Sequence, residues 1–178
     1  FTYYPIINDV LKWFIVIALT EELFKFLVVK VSVLKNDEID EPLDIMLYMV
    51  IVALGFAALE NILYLFSPID NISFSVVFST TISISFIRFI GATFLHTLCS
   101  GLIGYFLAKS VLENRSKLHL TIIGIIISTL LHGLYNFSII VLVSPFNFLV
   151  PLIIILGLVI FMVYDFDSIK KIKGICKI

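Results

Sequence analysis

Two adjacent glutamates, Glu21 and Glu22, lie in the middle of a segment that is otherwise apolar enough to cross a membrane. One carboxylate near the bilayer centre costs about 2.5–3.5 kcal/mol on insertion scales. Lys25 follows at helical spacing from both glutamates, so its ammonium can reach either carboxylate. A buried ion pair that only fixes packing is a poor explanation, because one lysine cannot neutralise two carboxylates. We therefore interpret the three residues as part of a functional site that faces a protein interior or a wet cavity.

Three further apolar segments carry polar side chains that are rare inside membranes. They are Glu60 and Asn61 in one segment, Arg88, His96 and Ser100 in another, and His132 and Asn136 in a third. At about 1.5 Å per residue, Glu21, His96 and His132 lie at nearly the same depth, near mid-membrane. Glu60 is closer to the outer end of its segment, and we expect it higher. The sequence thus predicts one polar pocket in the outer half of the bilayer.

Each of these side chains also has a structural explanation. A histidine inside a membrane can make an interhelical hydrogen bond, and Asn136 can end a polar stripe. Glu60 fits an outer-leaflet polar position, and Arg88 can extend its guanidinium to the interface. For the two histidines, their shared depth with Glu21 favours a functional interpretation.

The composition identifies the kind of protein that must position these residues. Of the 178 residues, 61% are hydrophobic and 14% charged, whereas soluble domains have about 45–50% and about 25%. Five segments are long enough to span a bilayer, at about 10–34, 43–66, 84–112, 118–143 and 148–164. A lead-in at 71–83, rich in serine and threonine, is consistent with a short interfacial or re-entrant helix. We predict an all-α polytopic transmembrane bundle, a single domain with its polar site in the core, and expect further spans upstream of residue 1.

Positive residues predict the orientation of the chain. Lysine and arginine cluster near 30–35, near 109–117 and in the tail at 170–177, whereas the connections at 67–83 and 144–147 contain neither. Cytoplasmic segments carry the excess of these residues. We therefore expect a cytoplasmic C-terminus. No basic patch for nucleic acid is present, and Cys99 and Cys176 predict no disulfide framework.

Four motifs in order resemble the PrsW family of membrane-embedded proteases, which is related to the CAAX prenyl protease and Abi superfamily. The motifs are Glu21-Glu22-x-x-Lys25, Phe56-x-x-x-Glu60-Asn61, His96-x-x-x-Ser100-Gly101-x-x-Gly104-Tyr105 and His132-Gly133-x-x-Asn136. The resemblance implies a glutamate-dependent intramembrane peptidase of the bacterial cytoplasmic membrane. Its expected substrates are membrane-anchored proteins, such as anti-sigma factors, cleaved on the extracytoplasmic side. The more distant CAAX relatives carry an arginine and a histidine where Lys25 and Glu60 stand here.

The resemblance, together with the residues, suggests roles for the site. The catalytic candidates are Glu21, Glu22, Lys25, Glu60, His96, His132 and Asn136, and the substrate-binding candidates are Asn61, Ser100 and Arg88. We expect one glutamate of the pair to act as general base, His96 to orient water, and His132 with Asn136 to stabilise an oxyanion. Glu60 and Asn61 would orient a histidine or bind the substrate backbone. We expect no cofactor; the alternative is a zinc ion on Glu21, Glu22, His96 and His132.

Two other kinds of function remain open at this point. Buried glutamate, histidine and lysine also mark proton relays, so a proton- or cation-coupled transporter subunit is the main alternative. The absence of a detectable internal repeat weighs against transport. A non-catalytic relative that binds single-span partners would keep the same polar groove. A serine protease of the rhomboid kind is disfavoured, because Leu98 stands where the motif around Ser100 needs a glycine.

Overall fold

The computed structural model of the chain describes residues 5–34, 41–65, 74–112 and 117–170. The side chains of 65, 74–88, 112, 117 and 170 are outside this description. Within the described ranges all regular structure is helical, which confirms the predicted all-α class. The candidate site residues other than Arg88 have described side chains.

The first predicted span is one continuous helix, called the first helix below, in which a π-helical segment lies between two α-helical ones. Helix α1 covers Pro5–Val10, a π-helical segment covers Leu11–Leu19, and α2 covers Thr20–Ser32. π-helical turns are rare and are found frequently at functional sites. The π-helical segment ends at Leu19, two residues before Glu21.

Four further helices follow: α3 (Pro42–Leu65), α4 (Phe74–Leu112), α5 (Lys117–Val141) and α6 (Phe146–Lys170). Each is long and apolar enough to cross a membrane, over Pro42–Tyr64, Phe89–Val111, Leu118–Val141 and Phe146–Ile169. Large apolar side chains such as Ile51, Ile126 and Ile153 are exposed on their outer faces, as expected for helices that contact lipid. The polytopic membrane bundle expected from the composition is thus confirmed.

Helix α4 begins earlier than the predicted third span. Its backbone is helical from Phe74, so residues 74–83 of the serine- and threonine-rich lead-in continue into the span rather than forming a separate helix. At about 1.5 Å per residue, its 39 residues cover about 58 Å, well beyond a hydrocarbon core of about 30 Å. Residues 71–73 of the lead-in lie outside the described ranges.

Helix α4 is the centre of the bundle and contacts α2, α3, α5 and α6. Small residues permit this close packing. A Cβ atom added to Gly104 would lie 2.8 Å from the Cα of Met46 on α3, and one added to Gly124 on α5 would lie 2.8 Å from the Cβ of Phe106. Ser128 on α5 donates a hydrogen bond of 2.8 Å to the carbonyl of Cys99 on α4. The small and polar residues Gly104 on α4 and Gly124 and Ser128 on α5 therefore face other helices.

Candidate active site

Glu22 is the centre of the polar network inside the bundle. Its side chain is fully buried, and its Oε1 accepts hydrogen bonds from Lys25 Nζ at 2.7 Å and from His132 Nδ1 at 2.8 Å. Its Oε2 lies 3.5 Å from the Ser100 hydroxyl, which donates to it. Because these donors occupy both oxygens, Glu22 is a fixed anchor for α2, α4 and α5.

The network fixes the tautomer of both histidines. His132 donates through Nδ1 to the Glu22 carboxylate, so its Nε2 carries the free lone pair in the neutral ring. His96 Nδ1 lies 2.6 Å from Lys25 Nζ, and a lysine ammonium has no acceptor, so Nδ1 must accept. The proton of His96 is therefore on Nε2, which donates to Glu60 Oε2 at 2.9 Å. The rings of His96 and His132 meet edge to face, with centroids 4.9 Å apart.

Lys25 is buried, and its ammonium contacts two polar side chains and an aromatic ring. Its Nζ bonds Glu22 and His96 and lies 5.0 Å from the centroid of the Phe56 ring. The sequence allowed Lys25 to reach either glutamate, and in the structure it bonds Glu22. The ammonium thus orients Glu22 and His96. It makes no direct ion pair with Glu21.

Glu21 has a different environment from Glu22. Its Oε2 is buried and makes no hydrogen bond to any of the described residues, although it lies 3.7 Å from His132 Nε2 and 4.0 Å from His96 Nδ1. The side chain as a whole remains 18% exposed because it faces a cavity. A carboxylate oxygen shielded from solvent without a donor is costly, so this oxygen is open to a further partner.

The cavity has a volume of about 420 Å³ and extends from the carboxylates toward the membrane face where α3 ends and α4 begins. Its lining includes Lys12, Trp13, Glu21, Glu60, Tyr64 and Asn136. Glu21, Glu60 and Asn136 form the inner end. Lys12 and Tyr64 lie farther along their helices in the outward direction and form the mouth. The cavity thus connects Glu21 with the end of the bundle at which α3 ends.

Not every predicted residue reaches this cavity. The structure brings together Glu21, Glu22, Lys25, Glu60, His96 and His132, and Asn136 joins them through the cavity wall. Asn61 instead donates its Nδ2 to Thr93 Oγ1 at 3.2 Å, and Ser100 is fully buried against Glu22. The side chain of Arg88 lies outside the described part of the chain.

Most residues that line the cavity were not predicted from the sequence, among them Lys12 and three aromatic residues. Trp13, Tyr64 and Tyr135 are aromatic residues that carry a polar group. Trp13 stands eight residues before Glu21 and Tyr64 four residues after Glu60, so helical spacing from the carboxylates was the available signal. Tyr135 precedes Asn136 and lies against α4, where its hydroxyl would be 2.6 Å from a Cβ added to Gly91. A larger residue at position 91 would require the Tyr135 hydroxyl to move.

Glu21, His96 and His132 offer ligand atoms that all lie within 4.8 Å of one another. Two histidines and one carboxylate form a known catalytic zinc set, in which ligand atoms at about 2.0–2.2 Å lie about 3.3–3.6 Å apart. Each histidine also has its other nitrogen on a carboxylate, as metal-bound histidines usually do. The unpaired Glu21 oxygen completes a donor set that fits zinc. The contact between Lys25 Nζ and His96 Nδ1 opposes metal binding, because the ammonium occupies the nitrogen that would bind the ion.

Comparisons with known proteins identify the family of the chain. A family model described as PrsW family intramembrane metalloprotease matches residues 3–164. The chain is 32% identical to protease PrsW of Oceanobacillus iheyensis, over 70% of the chain and 52% of that protein. It is 28% identical to protease PrsW of Clostridioides difficile over 89% and 62%, and 27% identical to protease PrsW of Bacillus subtilis over 76% and 57%. No solved structure matches significantly.

The chain spans about half to three fifths of the length of these curated relatives. Their bacterial sources and the four apolar helices identify an integral membrane protein of bacterial type. The family description names a metal, so the expectation that no cofactor takes part is not confirmed. The match covers the glutamate pair, Glu60 and both histidines, and the chain belongs to the PrsW family of intramembrane metalloproteases.

Proposed function

We propose that this chain is an intramembrane protease whose hydrolytic centre is Glu21 with His96 and His132. The observation that carries the proposal is the unpaired Oε2 of Glu21, which lies 3.7 and 4.0 Å from two histidine nitrogens at the inner end of an open cavity. Peptide hydrolysis needs an activated water, a stabilised oxyanion and a protonated leaving amine. The cavity contains a residue for each task.

Glu21 is the residue that takes the proton from the attacking water. It has a carboxylate oxygen to accept that proton, and it faces the space where water and peptide meet. Glu22 cannot do this, because Lys25, His132 and Ser100 occupy its oxygens. Of the two adjacent glutamates, Glu21 is thus the catalytic residue and Glu22 is the positioning residue.

The histidines hold and move protons around Glu21. Glu22 fixes the lone pair of His132 Nε2 toward Glu21, so this nitrogen can orient the water or carry its proton to the leaving amine. Glu60 and Lys25 together fix the ring of His96. Asn136, one helical turn after His132 on the cavity wall, has an amide N–H that can donate to the oxyanion.

If a zinc ion takes part, Glu21, His96 and His132 would hold it, with Glu22 and Glu60 as the outer carboxylates. The ion would then supply a polarised carbonyl and a more acidic water. A metal-free glutamic mechanism is the second candidate. The 2.6 Å contact between Lys25 and His96 Nδ1 favours it, because an ammonium on this nitrogen competes with an ion. Glu21 is indispensable in both.

The substrate is a protein anchored by a single membrane span, and an anti-sigma factor is the candidate that the family resemblance suggests. The cavity opens at the face where α3 ends, and the distribution of lysine and arginine makes that face extracytoplasmic. A substrate entering there would be cut in the outer half of the bilayer. This orientation also puts the C-terminus of the chain in the cytoplasm.

Proteolysis in liposomes tests the proposal. The chain is reconstituted with a panel of single-span peptides, with and without a membrane-permeant chelator, and products are identified by mass spectrometry. We expect cleavage on the side of the peptide that faces the cavity mouth. Loss of cleavage in chelator and its return with added zinc would identify the metal form, whereas undiminished cleavage in chelator would identify the glutamic form.

Two outcomes would overturn the proposal. Proton flux through liposomes that contain the chain, without cleavage of any peptide, would support a transporter subunit instead. Tight binding of single-span peptides that are never cut would support a non-catalytic relative. Ser100→Ala is the control for a serine mechanism, and we expect it to retain cleavage because the hydroxyl is fully buried against Glu22.

A further inference from the structure

The mouth and the inner end of the cavity carry opposite charges. Glu21 and Glu60 are at the inner end, and Lys12 is the cationic residue among the described residues that line the cavity. Its side chain is exposed, and its Nζ lies 5.0 Å from the centroid of the Trp13 ring. Lys12 and Trp13 both line the cavity that leads to Glu21. A peptide that enters along this wall therefore meets the Lys12 ammonium.

The first helix sets the distance between this charge and the hydrolytic centre. Lys12 and Glu21 are nine residues apart on this continuous helix, so the two levels differ by at most about 13 Å at 1.5 Å per residue. An extended peptide covers this distance with about three to four residues at about 3.3 Å each. The ammonium is thus a short, fixed span away from the bond that Glu21 would cleave.

We propose that Lys12 selects substrates that carry an aspartate or glutamate about three to four residues from the scissile bond, on the side of the cavity mouth. This inference rests on the proposed protease function and adds a specificity determinant to it. An acidic side chain at that position is attracted to the ammonium, and a basic one is repelled. Lys12 acts in substrate selection and takes no part in the chemistry.

Lys30 provides a matched control on the first helix. It is exposed and its Nζ lies 5.7 Å from the centroid of the Phe26 ring, so its charge and its stacking resemble those of Lys12. Lys30 does not line the cavity. Charge reversal at Lys30 therefore makes the same change of charge on the same helix, but it leaves the charge at the cavity mouth unchanged.

The test uses the fluorescence of Trp13, which is the one tryptophan in the 178-residue sequence. The chain is reconstituted in zwitterionic liposomes and titrated with tryptophan-free single-span peptides that differ only in bearing aspartate, serine or lysine outside the span. We expect the aspartate peptide to bind about fivefold more tightly than the serine peptide. Lys12→Glu should reverse the preference toward the lysine peptide, and Lys30→Glu should leave it unchanged. When the aspartate is moved along the peptide, the cleaved bond should move with it.

Three results would overturn the inference: equal binding of the three peptides, a preference that survives Lys12→Glu, or a Trp13 response to anionic vesicles that equals the response to the aspartate peptide. The last result would assign Lys12 to lipid headgroups. Failure of the protease function gives a different pattern. The aspartate preference and its reversal would then persist in binding, but no peptide would be cut.

Discussion

At the scale of single residues, the two adjacent glutamates have opposite tasks. Glu22 is fully buried and accepts hydrogen bonds from Lys25, His132 and Ser100. Glu21 has one oxygen with no hydrogen bond and faces the cavity. Neighbouring positions on a helix point about 100° apart, so one carboxylate can build the site while the other performs the chemistry.

Glu22→Gln should destabilise the protein as well as reduce its activity. The amide keeps an acceptor for His132 but removes the negative charge that neutralises the buried Lys25. Removing one partner of a buried ion pair costs about 3–5 kcal/mol. Thermal unfolding in detergent should show this loss, and the double variant Glu22→Gln with Lys25→Met should recover much of it without recovering activity. Unchanged stability of the single variant would show that Lys25 does not depend on Glu22.

The residues of the site could be predicted from the sequence because ionisable residues are rare inside membrane spans. Glu21, Lys25, His96 and His132 stand out against apolar neighbours, and helical depth alone brought three of them to one level. Glu60 was expected higher in the membrane than His96. Its carboxylate nevertheless accepts a hydrogen bond of 2.9 Å from His96 Nε2, because a glutamate side chain is long enough to bridge an offset along the helix. Asn61 was expected at the substrate but bonds Thr93. Rotamers and pairing of this kind do not follow from spacing.

At the scale of helices, α4 holds the bundle together through small residues at its contacts. Gly104 leaves no space for a side chain, because an added Cβ would lie 2.8 Å from the Cα of Met46 and 3.2 Å from the Cβ of Met49. The obstacle at Met46 is backbone, which cannot rotate away. Gly55 on α3 is exposed and has nothing within 4 Å of an added Cβ.

Gly104→Ala and Gly55→Ala therefore form a matched pair. We expect Gly104→Ala to lower the free energy of unfolding by about 1–3 kcal/mol, as overpacking does. Gly55→Ala should be neutral or raise it by about 0.5–1 kcal/mol, because alanine loses less backbone entropy in a helix. Chemical denaturation in detergent measures both. Equal effects of the two substitutions would contradict the close α3–α4 contact.

The π-helical segment illustrates what periodicity could not predict. The apolar run from Leu11 to Leu19 predicted a span, and nothing in its composition distinguishes π from α winding. Trp13 in this segment and Glu21 in the helix that follows both line the cavity. The early start of α4 escaped prediction for a similar reason, since serine and threonine reduce the apolar signal without ending a helix.

At the scale of the whole molecule, orientation decides where the cavity opens. Lysine and arginine are concentrated in the tail and near 109–117, and this distribution predicts that those segments are cytoplasmic and that the cavity mouth is extracytoplasmic. The chain has two cysteines, Cys99, which is buried, and Cys176 in the tail. A membrane-impermeant maleimide should therefore label Cys176 in inside-out vesicles and not in intact cells. Labelling in intact cells would reverse the orientation and put the cavity mouth in the cytoplasm.

The central claim is that Glu21 is the carboxylate on which hydrolysis depends, and the cleavage rate of Glu21→Gln tests it most directly. A positioned acid–base group contributes about 10²–10⁴-fold to the rate, so we expect a fall of at least about 100-fold. The melting temperature should stay close to that of the wild type, because Glu21 Oε2 makes no hydrogen bond that the amide would lose. Cleavage by folded Glu21→Gln within about tenfold of the wild-type rate would contradict the account.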